Sequence, residues 1–186
     1  FLIDREAYPW LADVITNIDR YVPGIEKKQA SFVMRNNVRV ENPSLPIMFV
    51  IGWNALAVKQ FKKTFALFEP WIEAPYIILR GEGRSLLPLL TWSGTKAGKR
   101  ESVEKVLQWY VSEHGRDYEY WLSTAMMQAA GKDHNSALRS LDLARSNINS
   151  SLSDMRFVPA WYQLVAACEL LNDDTMNAAY RDRAME

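Results

Sequence analysis

Eight consecutive residues, Ser93-Gly94-Thr95-Lys96-Ala97-Gly98-Lys99-Arg100, combine glycine, hydroxyl and ammonium groups as a phosphate-cradling loop does. That loop needs glycine where Ser93 stands, and a hydroxyl after its lysine to reach magnesium, where this chain has Arg100. No buried strand is predicted before it either, so the stretch reads as a solvated basic loop. Gly81-Glu82-Gly83 lacks the third glycine of a dinucleotide fingerprint and reads as a turn. The two histidines, His114 and His134, fall at predicted helix ends, where imidazoles satisfy free backbone groups. Their acidic neighbours Glu113 and Asp133 are adjacent in sequence and point elsewhere on a helix, which makes poor chelates, and no HExxH pattern occurs. Ser93-Gly94 lacks the flanking glycines of a nucleophile elbow. Asp173-Asp174 reads as a solvated acidic turn. Asn149-Ser150-Ser151 meets the glycosylation rule, a triplet that chance produces often. No catalytic set, cofactor site or metal site emerges, and the expectation is a chain that is not an enzyme.

The elements around these residues are helical throughout. Helices are predicted over residues 4–20, 25–35 and 44–57, with an extended piece near Val38–Val40 as the sole strand signal. Residues 59–68 place Phe61, Phe65 and Phe68 on one face and lysines on another, and Pro70 and Pro75 force boundaries. A short helix is expected from Ser85 to Trp92, with Pro88 near its start, and a clear amphipathic one from Glu101 to His114, stopped by Gly115. The last pair spans Phe157–Leu171 and Thr175–Ala184 around an Asn172-Asp173-Asp174 turn.

With 186 residues the chain can bury a substantial core. Lys plus Arg total 22 and so do Asp plus Glu, which gives no bulk attraction to nucleic acid or acidic lipid. Seven Trp and eight Tyr are read mainly as fillers of helix–helix interfaces. The lone Cys168 lies in the apolar run WYQLVAACELL and reads as a small core residue. No apolar run reaches the roughly 18 residues of a membrane span. Because residue 1 is Phe rather than Met, the chain is expected to be processed or cut from a longer protein. Phe1-Leu2-Ile3 fits either the tail of an upstream membrane segment or a hydrophobic staple.

Residues 117–144, DYEYWLSTAMMQAAGKDHNSALRSLDLA, show the plan most clearly. Tyr118, Trp121, Leu122, Ala125 and Ala129, then Ala137, Leu138, Leu141 and Ala144, recur at the spacing of two amphipathic helices. Gly131 ends the first, and Asn135 or Ser136 is available to cap the second. This hairpin resembles a tetratricopeptide repeat. Trp121 matches that family's early aromatic, Ala125 and Ala137 its small residues, and Leu141 and Ala144 its packing positions. It departs at Gln128, where the family has tyrosine, and at Asn149, where it has proline. Trp161, Leu164 and Val165 repeat the placing 40 residues on, against a usual period of about 34.

The resemblance implies an all-α fold of stacked antiparallel hairpins in a right-handed superhelix. It is best supported over residues 101–186, with degenerate or non-repeat helices over 1–100. It also implies that Trp121 and Trp161 are largely buried between hairpins. The concave groove would be lined by Leu122, Ser123 and Met126, then Tyr162, Gln163 and Glu169. Such a lining lacks the lysine, asparagine and arginine of a carboxylate clamp, and it suits a partner helix or internal peptide segment. The expected function is a scaffold or protein–protein interaction module of a larger protein, without nucleic acid or membrane insertion, in a cytoplasmic or else an extracytoplasmic setting. The alternative is a regulatory or sensory domain of a membrane-associated or signalling protein, holding a small molecule or glycan on Trp71, Tyr76 and Trp92.

Overall fold

Chain geometry is given by a computed structural model that describes residues 59–149 and 157–185, together with Gly52 and Leu56. The helices expected over 4–20 and 25–35 and the extended piece near Val38–Val40 lie outside these residues. Gly52 and Leu56 are helical and buried, in line with the helix expected over 44–57. Among the described residues there are seven α-helices and no strand.

The first helix, α1 (Phe61–Ala66), is short because prolines intervene. Pro70 and Pro75 each open a 3₁₀ turn, Glu69–Trp71 and Pro75–Ile77, since a fixed φ and a missing N–H suit only a first turn. Phe65 and Phe68 are buried, while Lys62 and Lys63 are exposed, as the spacing predicts. Gly81–Leu86 winds into a further 3₁₀ turn, where sequence suggested a simple turn.

The helix α2 (Leu87–Lys96) corrects the reading of residues 93–100 as one loop. It continues through Ser93 and Gly94, both buried, and only Ala97, Gly98 and Lys99 remain as a turn. Two hydroxyls sustain the extra turn by donating backwards along the helix, Ser93 Oγ to Leu89 O at 2.7 Å and Thr95 Oγ1 to Thr91 O at 2.8 Å. Lys96 is not a solvated loop cation. It pairs with Asp174 and lies 4.8 Å from the Trp92 ring centroid.

The next helix, α3 (Arg100–His114), stops at Gly115, which takes φ 77° and donates its N–H to Val111 O. Then α4 (Tyr118–Ala130) and α5 (His134–Asn149) form the hairpin that the alanine spacing predicts. Ala125, Ala129, Ala137 and Ala144 are all buried, which lets the two backbones approach closely. Gly131 ends α4 as expected, and the left-handed residue of the turn is Lys132 at φ 65°. One detail differs. The cap of α5 is Asp133, which accepts from Ser136 N at 3.2 Å, rather than Asn135 or Ser136. Ser136, through its hydroxyl first and then its N–H, holds the exposed Asp133 carboxyl below its ordinary value.

Finally α6 (Phe157–Thr175) and α7 (Ala179–Met185) form another hairpin. Here α6 runs past the expected Asn172-Asp173-Asp174 turn, which moves to Met176–Ala178, with Met176 at φ 55°. Asp174 is held in helix by Lys96, and Thr175 Oγ1 donates to Leu171 O.

Helix α2 packs on α1, α3 and α4; α4 also packs on α5 and α6; and α5 packs on α7. A single buried apolar cluster extends from Leu56 through Trp71, Trp92, Tyr110 and Met126 to Tyr180.

Candidate functional site

The first turn of α4 gathers ionisable groups from distant parts of the chain. Gly115 ends α3 sharply, so only Gly115, Arg116 and Asp117 separate α3 from α4. Asp117 is the N-cap, and its Oδ1 accepts from Tyr120 N at 3.0 Å. Its Oδ2 accepts from Tyr110 Oη of α3 at 2.9 Å and from Arg84 Nη1 of the Gly81–Leu86 turn at 3.3 Å. One carboxylate thus takes three donors from three elements.

Glu119, two residues on, is half-buried in the same turn. Burial raises Glu119 above the ordinary carboxylate value, the Asp117 charge adds to this, and Arg84 opposes it. Tyr110 is likewise pushed up, by burial first and then by Glu119 and Asp117. Tyr118, between the two carboxyls in sequence, turns inward and is raised by burial and by Glu119. Its hydroxyl donates to Ala160 O of α6 at 2.9 Å and lies 3.3 Å from Gln163 Oε1. Gln163 Nε2 in turn donates to Ser85 O at 2.8 Å, which closes a loop back to the Arg84 segment.

No family model, no curated protein and no solved structure matches the chain.

The assignment therefore rests on residues alone. Of the six expected groove residues, Leu122, Ser123 and Met126 are buried completely and Gln163 is 5% exposed. With α2 and α5 both packed on α4, the first three face the interior, where no partner reaches them. Gln163 is engaged by Tyr118 and Ser85. Glu169 is exposed, and the Tyr162 side chain lies outside the described residues. Trp121 is half-buried rather than enclosed, with the Tyr120 ring 5.1 Å away and the Arg116 guanidinium 5.9 Å from its ring centroid. The Trp161 side chain lies outside the described residues.

Trp71 and Trp92 are fully buried, whereas Tyr76 is 47% exposed, so these three do not form one exposed aromatic cage. His114 Nε2 is 3.1 Å from Leu79 O, and His134 Nδ1 is 2.9 Å from Tyr180 Oη. Both histidines therefore tie elements together. Among the described residues no cluster of three or more His, Cys, Asp or Glu could hold a metal. A dimple between α5, α6 and α7, floored by Leu141, Leu164 and Cys168, has no room for a water molecule.

Sequence reading missed Arg84, Tyr110, Asp117 and Glu119 as a group. A signal existed for two of them, because Asp117 and Glu119 follow a helix-stopping glycine and bracket the first turn of the next helix. Arg84 lies 33 residues from Asp117, and no periodicity connects them.

Proposed function

We propose that the chain is a non-catalytic interaction module of a larger protein, a tetratricopeptide-like stack of helical hairpins that holds a partner protein or peptide. The observation that carries this reading is serial packing. The α4/α5 hairpin crosses at buried alanines, and the α6/α7 hairpin lies against it, with α6 on α4 and α5 and with α7 on α5. His134–Tyr180 and Arg183–Asp142 tie the second helices of the two hairpins. Such arrays present long helix faces suited to a partner's helix or extended segment.

The contact surface is not the inner face of α4, because its side chains are inside the molecule. It comprises instead the outward faces of the hairpins, where Leu143 is 42% exposed and Glu169 is also exposed. To test this, the domain is immobilised and used to capture partners from extract of its source cells, with Leu143→Glu and Glu169→Arg variants alongside. Both substitutions sit at exposed positions and leave the fold intact, whereas glutamate at buried Met126 would unfold it. Saturable capture that weakens in a folded variant supports the module reading. Absence of any specific, saturable partner sinks it.

A further inference from the structure

Lys59, just before α1, and Met176, just after α6, hold left-handed backbone at φ 59° and 55°. Glycine or asparagine avoids the Cβ clash of that conformation, whereas lysine and methionine bear it. Such strain concentrates at contact and switch sites. Lys96 brings the two positions onto one face. Its ammonium pairs with Asp174, two places before Met176, and lies 5.8 Å from the ring centroid of Phe61, two places after Lys59. Met176 is 87% exposed, the most open large apolar side chain among the described residues.

Charge on this face is sorted about an apolar centre. On the α1 side Lys59, Lys62 and Lys63 are exposed and form no ion pair. On the α6 side stand exposed Asp173 and, beside it, Asp174. Half-buried Phe61 and exposed Met176 lie between them. We propose that this face is an isologous interface with a second copy of the chain. The α1 lysines of each copy meet Asp173 of the other, and Met176 of each lies on the other's Phe61. A wholly basic or wholly acidic partner would be drawn to one edge and repelled by the other. A second copy, turned by a two-fold axis, matches both edges at once. Methionine suits such a contact because its unbranched thioether repacks against an irregular surface.

This interface is independent of the partner reading, since it uses neither Leu143 nor Glu169. Its charge pairs lie at exposed positions, so added salt should weaken it.

The test is sedimentation velocity on the intact chain over an about hundredfold range of concentration. The mass of wild type should rise from one chain to two and no further. Lys62→Glu and Asp173→Lys should each weaken association about tenfold or more, because each sets like charges against each other in both halves of the interface. Each change also suits its own helix end, an acid in the first turn of α1 and a base in the last turn of α6, so both variants stay folded. Mixed in equal amounts, the two variants should regain the dimer, since each offers the other the opposite charge it lacks. Met176→Asn removes the apolar contact and relaxes the left-handed backbone. It should therefore weaken the dimer while raising the melting temperature of dilute, monomeric protein, a divergence that a merely structural methionine would not give. A wild type that stays monomeric leaves this face to some other partner and overturns the proposal. Masses that grow beyond two chains, or single variants that fail to recover on mixing, overturn it as well.

Discussion

Replacing Gly94 by alanine sets two opposing magnitudes against each other. In an exposed helix interior the change gains about 1 kcal/mol, because glycine loses the most backbone entropy on folding. At Gly94 the new Cβ would stand 2.5 Å from Val103 Cγ2 of α3 and 2.7 and 2.9 Å from Phe65 Cε2 and Cδ2 of α1. Ordinary carbon–carbon contact is about 3.5–4.0 Å, so each contact is short by roughly 1 Å. A β-branched side chain and a ring edge cannot yield by rotation, and two helices must retreat from opposite neighbours. Overpacking of that kind costs about 1–3 kcal/mol, and the double clash puts Gly94→Ala at the upper end, for a net loss of about 2 kcal/mol. Urea unfolding followed by circular dichroism reads this directly, and a thermal melt should fall by roughly 4–8 °C. Val103→Ala removes one of the clashing methyls, so the double variant should be more stable than the sum of the singles by about 1 kcal/mol. A Gly94→Ala protein as stable as wild type would falsify the close approach of α1 and α3 over α2.

Two further outcomes follow from burial. Trp92→Ala should cost about 3–5 kcal/mol in the same unfolding assay, whereas half-buried Trp121→Ala should cost about 1–2 kcal/mol; the reverse order would contradict the packing around α4. Burial and then Glu169 push the Cys168 thiol from 9.0 up to about 12. The native protein should therefore resist a thiol reagent near neutrality until urea unfolds it. A thiol raised in the folded state contributes stability below 9.0 that is lost as pH climbs toward about 12, so Cys168→Ala should flatten that alkaline limb. Rapid labelling of native protein would place Cys168 at the surface.

Helices were legible where one residue type settles the local backbone. Gly115 stops α3, Pro88 sits in the first turn of α2, and the alanines of 125–144 mark a close crossing, each for a reason internal to a few residues. Local chemistry misled at residues 93–96, where glycine, serine and threonine resemble a loop. Their small size instead serves helix packing, and their hydroxyls bond back along α2. The same limit moved the last turn from Asn172 to Met176, since the polar run is held helical by Lys96, 78 positions away.

The sequence by itself determined the helical class, the hairpin over 118–149 and the core role of Cys168, because apolar periodicity and turn residues act over a few bonds. Tertiary structure alone decided which face of α4 meets solvent. Leu122, Ser123 and Met126 have the same side-chain chemistry whether they line a groove or a core. Only the docking of α2 and α5 on α4 buries them, and that docking sums weak contacts from remote segments that no local pattern encodes. The Arg84–Asp117–Glu119 cluster has the same origin, for its charges interact only once the Gly81–Leu86 turn has been folded against the start of α4.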